Sequence, residues 1–151
     1  MFGHFDMLKF LIDQWKGAVR YLFKQQNQPK AAIEAHIKEG ISSWVNMATI
    51  LDDGWTAVQL SCKYNTNNEV FLYLIDILGA NVNLRNKNGA SLMHKAALDD
   101  NTYAITYLRD KAGFAVDHTD YHGNTPLHFA CTQAHTSAID WLLGFGADVN
   151  A

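Results

Sequence analysis

Seven histidines and two cysteines are the residues of this 151-residue chain that could ligate a metal or supply a nucleophile. Zinc takes a histidine nitrogen or a thiolate at about 2.0–2.3 Å, so its ligands must converge on one point. His94 and His128 stand in matching contexts, Ser91-Leu92-Met93-His94 and Thr125-Pro126-Leu127-His128. If these contexts mark stacked units, the two rings lie about one helix-packing distance apart, 8–10 Å or more, too far to share an ion. His118 and His122 are four residues apart, but in a turn-rich stretch rather than on a helix. Cys62 and Cys131 also match in context, and two stacking distances exceed the Cα separation of about 7 Å that a disulfide tolerates. They are expected to be reduced, buried and filling alanine-sized holes. Gly144-Phe145-Gly146 follows a helical pattern instead of preceding one, which fails the test for a phosphate-cradling loop. No Ser-His-Asp or Cys-His grouping has the context of a nucleophile. No catalytic residue, metal or cofactor is therefore expected.

The elements that carry these residues recur. Gly54-Trp55-Thr56-Ala57-Val58-Gln59-Leu60-Ser61-Cys62 aligns with Gly89-Ala90-Ser91-Leu92-Met93-His94-Lys95-Ala96-Ala97, and with Gly123-Asn124-Thr125-Pro126-Leu127-His128-Phe129-Ala130-Cys131. The leading glycines are 35 and 34 residues apart. A second marker set, beginning at Gly79, Gly113 and Gly146, keeps the same beat at 34 and 33. A fixed period of this size marks stacked supersecondary units. Thr56, Ser91 and Thr125 suit helix N-caps, and Pro126 suits a first helical turn. Small residues follow in the first helix of each unit. Larger apolar residues line the second helices: Val70, Phe71, Leu74, Ile75 and Leu78, then Ile105, Tyr107 and Leu108, then Ile139, Leu142 and Leu143. Their three- and four-residue spacing predicts a buried stripe, closed by Gly79, Gly113 and Gly146. Within a unit the marker glycines are 25, 24 and 23 apart. The extra residues are expected at Asn65-Thr66-Asn67-Asn68 in the first unit and at Asp99-Asp100-Asn101 in the second.

These blocks resemble the ankyrin repeat family. Thr125-Pro126-Leu127-His128 followed by Ala130 is the nearest match; the second block lacks the proline, and the first has Ala57 for proline and Gln59 for histidine. The resemblance implies an all-α solenoid of helix-turn-helix units joined by β-hairpin turns. It assigns His94 and His128 to structural hydrogen bonds with turn backbone. The expected organisation is a helical N-terminal cap over residues 1–50 and three repeats at about 51–85, 86–119 and 120–151.

The cap rests on periodicity. Phe5, Leu8, Leu11, Ile12, Trp15, Val19, Leu22 and Phe23 predict a helix over 4–27, ended by Gln28-Pro29. A second helix is predicted from Ala31 to Glu39, with Gly40 as its stop and Ala32, Ile33 and Ile37 facing inward. Such a pair would cover the outer face of the first repeat. The chain stops at Asp148-Val149-Asn150-Ala151, where a further hairpin would begin, so the expectation is a piece of a longer array. The alternative is that a second copy covers that end, so the chain is expected as a monomer or a weak dimer through it.

Composition narrows the partners. Apolar residues make up 48% and charged residues 18%, which supports a packed core. The net charge of −3 argues against nucleic acid. Residues 1–30 carry five basic and two acidic groups, or +3; residues 31–151 carry seven basic and thirteen acidic, or −6. Two cysteines point to a reducing compartment, cytoplasmic or nuclear. No segment reads as a membrane span or signal peptide.

The resemblance implies protein–protein recognition through a concave groove of hairpin tips and inner helices. The first repeat supplies Asp53, Trp55, Lys63 and Tyr64. The second supplies Lys87, Asn88, Leu98 and Asp99, and the third Tyr121, His122, Asn124, Thr132 and Gln133. Exposed aromatics on a rigid surface are typical anchors. Trp55 is open between that role and packing over the neighbouring hairpin. Two further readings remain: a substrate-positioning array of a larger kinase, acyltransferase or ubiquitin ligase, and a membrane-surface adaptor using the basic first helix, with Lys9, Lys16, Arg20 and Lys24.

Overall fold

The structure, a computed structural model, describes residues 4–50, 53–63 and 68–151, without the side chains of His4, Phe5 and Met7. It divides into two units, Met1–Trp44 and Val45–Ala151.

The first unit is a helical hairpin of α1 (His4–Gln25) and the greater part of α2 (Lys30–Val45). Asn27 ends α1 by adopting a left-handed φ of 56°. The Gln28 amide then bonds Phe23 O at 3.2 Å and the Asn27 amide bonds Lys24 O at 3.2 Å, which satisfies the last carbonyls. Val19, Ile33 and Ile37 form the buried centre, flanked by Phe23 and Ile41. Two expectations for α2 are corrected. The helix runs through Gly40 instead of stopping there. A Cβ at Gly40 would lie 2.7 Å from the Trp15 ring, so this glycine makes room for the indole of the facing helix. Ala32 is exposed, because it sits a hundred degrees of helix away from the face shared by Ile33 and Ile37.

The second unit stacks three helix pairs. The inner helices are α3 (Ala57–Ser61), α5 (Leu92–Leu98) and α7 (Pro126–Thr132). The outer helices are α4 (Glu69–Leu72), continued by a π-helical turn at Tyr73–Ile77, then α6 (Thr102–Asp110) and α8 (Thr136–Gly144). α5 packs on α3 and α7, and α6 on α8. Ala96, Ala97 and Ala130 are fully buried between inner helices and permit their close approach. Phe71, Leu74, Leu78, Ile105, Leu108 and Leu142 fill the space beneath the outer helices. Leu143, expected in that stripe, is 39% exposed because Leu142 beside it takes the inward position.

Gly79, Gly113 and Gly146 stop the outer helices at φ between 70° and 89°. The next amide then reaches back over the helix end, as Phe114 N does to Leu108 O at 3.0 Å. The connections between repeats are hairpin-shaped turns: the described residues hold no continuous strand, only an isolated antiparallel bridge between Ala48 and Thr56.

The extra residues fall as follows. Tyr64, Asn65, Thr66 and Asn67 lie outside the described residues, and Asn68 is the N-cap of α4. In the second repeat the expected place is corrected. Ser91 to Asn101 and Thr125 to His135, N-cap to N-cap, span the same ten positions. Asp100 and Ala134 hold the same left-handed turn, each at φ 55°. Asn101 to Gly113 is twelve positions and His135 to Gly146 eleven, so the additional residue sits at the end of α6.

Candidate partner-binding surface

The hairpin tips at Gly89 and Gly123 are each built around one buried side chain three residues before the glycine. Asn86 Oδ1 accepts from the amides of Asn88 at 3.0 Å and Ala90 at 2.8 Å. Asp120 Oδ1 accepts from His122 at 2.9 Å and Asn124 at 2.8 Å. Burial alone would raise the Asp120 carboxyl, but the hydrogen bonds from Asn124 and His122 outweigh it and hold the group below the usual carboxylate value. Sequence reasoning missed both residues. The available signal was Asn and Asp at one fixed offset before a turn glycine.

Neighbouring tips are joined. The Lys87 amide donates to Asp53 O at 2.9 Å, and the Tyr121 amide to Asn88 O at 3.0 Å. The Asn88 side chain adds a bond to Asp53 Oδ1 at 3.2 Å. Side chains drape backward over the preceding glycine: Lys87 over Gly54, and the Tyr121 ring over Gly89. Tyr121 nevertheless leaves 72% of its surface to solvent.

Polar side chains of the inner helices hold the start of their own helix and a carbonyl further along the chain. His94 Nδ1 accepts from the Ser91 amide at 3.2 Å, while His94 Nε2 donates to Asn124 O at 2.9 Å. Gln59 does the same work with an amide. Its Oε1 accepts from the Thr56 amide at 2.8 Å and its Nε2 donates to Leu84 O at 3.0 Å. His128 repeats the first half, accepting from the Thr125 amide at 3.1 Å.

The expected groove residues divide. Asp53, Lys63, Lys87, Tyr121, His122, Thr132 and Gln133 are exposed; Asn88, Leu98, Asp99 and Asn124 are half-buried. Tyr64 lies outside the described residues. Trp55 is 7% exposed, with Lys95 Nζ 5.5 Å from its ring centre, and Lys95 is in turn bonded to Asp99 at 2.9 Å. The indole is buried against α5 rather than presented on the surface.

His118 and His122 diverge: His118 turns in against Ser91 while His122 is exposed. Among the described residues, no three His, Cys, Asp or Glu side chains group as metal ligands. Cys62 is buried, and burial pushes its thiol well above the ordinary value. Cys131, expected to be buried, is exposed; it lies on a side of α7 that its neighbours leave uncovered, while Ala130 beside it is fully buried.

In the first unit an apolar groove of about 340 Å³ is lined by Leu8, Leu11, Ile12, Trp15, Ile41 and Trp44. Arg20 pairs with Glu34 at 3.0 Å and Lys16 with Asp13 at 3.8 Å. Phe10, Leu11, Tyr21 and Leu22 are more than half exposed. No described helix is long and apolar enough to cross a membrane.

A family model of ankyrin repeats in three copies matches residues 62–151, more than half of the chain. The nuclear factor NF-kappa-B p105 subunit of Mus musculus is 30% identical over 145 residues, covering 91% of this chain and 14% of that protein. A putative ankyrin repeat protein of Rickettsia bellii is 32% identical over 89 residues, or 59% of this chain and 49% of that protein. Ankyrin repeat protein B18 of Variola virus is 42% identical over 48 residues, or 32% of this chain and 8% of that protein. The chain thus spans less than half the length of each of these relatives. The period, the capped inner helices, the hairpin tips and these matches agree: the chain belongs to the ankyrin repeat family.

Proposed function

We propose that the chain binds a partner protein through its hairpin tips and the adjoining ends of its inner helices, without catalysis. Ankyrin repeats are generally protein–protein interaction modules. The observation that carries the reading is Tyr121: its amide is tied to Asn88 O while 72% of its surface remains in solvent. A large aromatic held in place before binding loses little conformational entropy on contact. Asp53, Lys87, Asn88, His122 and Asn124 surround it along the tips. Lys63, Leu98, Asp99, Thr132 and Gln133 extend the surface along the inner-helix ends, and Tyr64 belongs to the same proposed set. Trp55 supports this surface from beneath. The compartment is intracellular and reducing, in keeping with two free cysteines.

The test is paired capture with wild type and Tyr121→Ala at matched thermal stability. Proteins retained by wild type and lost by the variant support the reading; identical capture by both, repeated for Lys87→Glu, overturns it.

A second reading rests on the exposed apolar side chains of α1, which would meet an anionic membrane surface with Lys9, Lys16 and Lys24. It ranks below the first because Arg20 and Lys16 already face Glu34 and Asp13. Salt-sensitive co-sedimentation with anionic vesicles supports it, and its absence removes it.

A further inference from the structure

The Ser91 hydroxyl lies between two imidazoles from different parts of the chain. One is His94 on α5, whose Nδ1 is 3.0 Å away; the other is His118, whose Nε2 also contacts the hydroxyl. The two rings meet edge-on with centroids 4.8 Å apart, and Phe129 of the next inner helix packs on His94 at 5.0 Å. The far end of each imidazole is anchored on a carbonyl. His118 Nδ1 is 2.6 Å from Ala115 O, and His94 Nε2 is 2.9 Å from Asn124 O.

Counting hydrogens along this chain of contacts leaves a deficit. A carbonyl oxygen only accepts, so His118 Nδ1 and His94 Nε2 each carry a hydrogen. His94 Nδ1 accepts from the Ser91 amide and therefore carries none. A neutral His118 likewise presents a bare Nε2. The single hydroxyl hydrogen of Ser91 thus faces two bare nitrogens. A hydrogen added to His118 Nε2 completes the chain. It donates to Ser91 Oγ, and the serine hydrogen turns to His94 Nδ1. No existing bond breaks, because a hydroxyl donates and accepts at once. A hydrogen added instead to His94 Nδ1 displaces the Ser91 amide and cuts the cap of α5.

We propose that Ser91 Oγ is a one-proton relay: His118 takes up a proton in mildly acid solution with the repeats still joined, and the joint opens only when His94 takes the second. The charged neighbours bear on both steps. Arg85, whose guanidinium bonds Gly89 O and Thr119 O, opposes a charge on either ring. Asp117 favours it on His118 and Asp120 on His94. Burial lowers both groups, His94 the further, to about 4. That order is the one the hydrogen count requires.

The experiment is a ¹⁵N titration of the imidazoles in the full chain, for wild type, Ser91→Ala and Ser91→Thr. Threonine keeps the hydroxyl and already stands at the matching positions Thr56 and Thr125. In wild type, His118 is expected to charge in the folded protein while His94 keeps its hydrogen on Nε2. In Ser91→Ala the His118 midpoint falls by about half a pH unit or more, since the cation loses its acceptor, and Ser91→Thr restores it. A single step in which both rings charge as the protein unfolds overturns the proposal, as does a His118 midpoint that Ser91→Ala leaves in place. The wild-type order of events decides the matter even where Ser91→Ala does not fold.

Discussion

The ring of Tyr121 lies across Gly89 so closely that a Cβ built on that glycine would sit 2.5 Å from Tyr121 Cδ1. Gly89 also holds φ at 80°, where only glycine is comfortable. Gly89→Ala therefore meets both strain and collision. The expected loss is about 2–3 kcal/mol, with the Tyr121 ring displaced. Gly79→Ala, at φ 70° but facing open space, should cost only about 1 kcal/mol. Thermal unfolding by circular dichroism compares the two, and equal losses would show that the ring contributes nothing.

Tyr121→Ala and Trp55→Ala should separate binding from packing. Trp55 is buried, and its removal is expected to cost about 3–5 kcal/mol. Tyr121→Ala should cost less than about 1 kcal/mol, because most of the ring faces water. Urea unfolding of both variants gives the comparison.

Gln59 tests whether an amide truly stands in for an imidazole. Gln59→Leu strands the Thr56 amide and Leu84 O at once, for an expected loss of about 2–4 kcal/mol. Gln59→His should retain most of that stability in urea at neutral pH.

Acid should weaken the fold through His94. Burial depresses its pKa from 6.5 to about 4. The folded state thus favours the neutral ring more than the unfolded chain does. The resulting stability is complete above pH 6.5 and is lost as pH falls towards 4, by about 3 kcal/mol in all. His94→Gln, which copies the side chain that Gln59 supplies in the first repeat, should flatten this limb while leaving other acid effects. Urea midpoints at pH 7, 5 and 4 supply the measurement, and parallel curves for both proteins would assign the acid loss elsewhere.

Much of this was legible from the residues. Gly54, Gly89 and Gly123 announced the tips, and Thr56, Ser91 and Thr125 the inner-helix starts, because turns and caps depend on local backbone chemistry. Positions settled by neighbours distant in sequence were harder to read. Gly40 resembles a helix stop, and only the Trp15 ring on the facing helix explains why the helix continues. Cys131 matches Cys62 in context yet differs in exposure, since burial depends on what lies against the helix. Trp55 could not be assigned from type alone, because Lys95, whose ammonium lies over its ring, belongs to the following repeat.

The side chains of Gln59 and His94 give the stack a direction. Each uses one atom to hold the start of its own helix and another to grip a carbonyl further along the chain. Losing the downstream unit leaves a buried donor stranded in the upstream one, whereas losing the upstream unit strands a carbonyl that can turn to water. Damage should therefore travel asymmetrically. A lesion in the third repeat unsettles the second through His94, whereas a lesion in the second reaches the third by no such stranded donor, like a zip that opens more readily from one end.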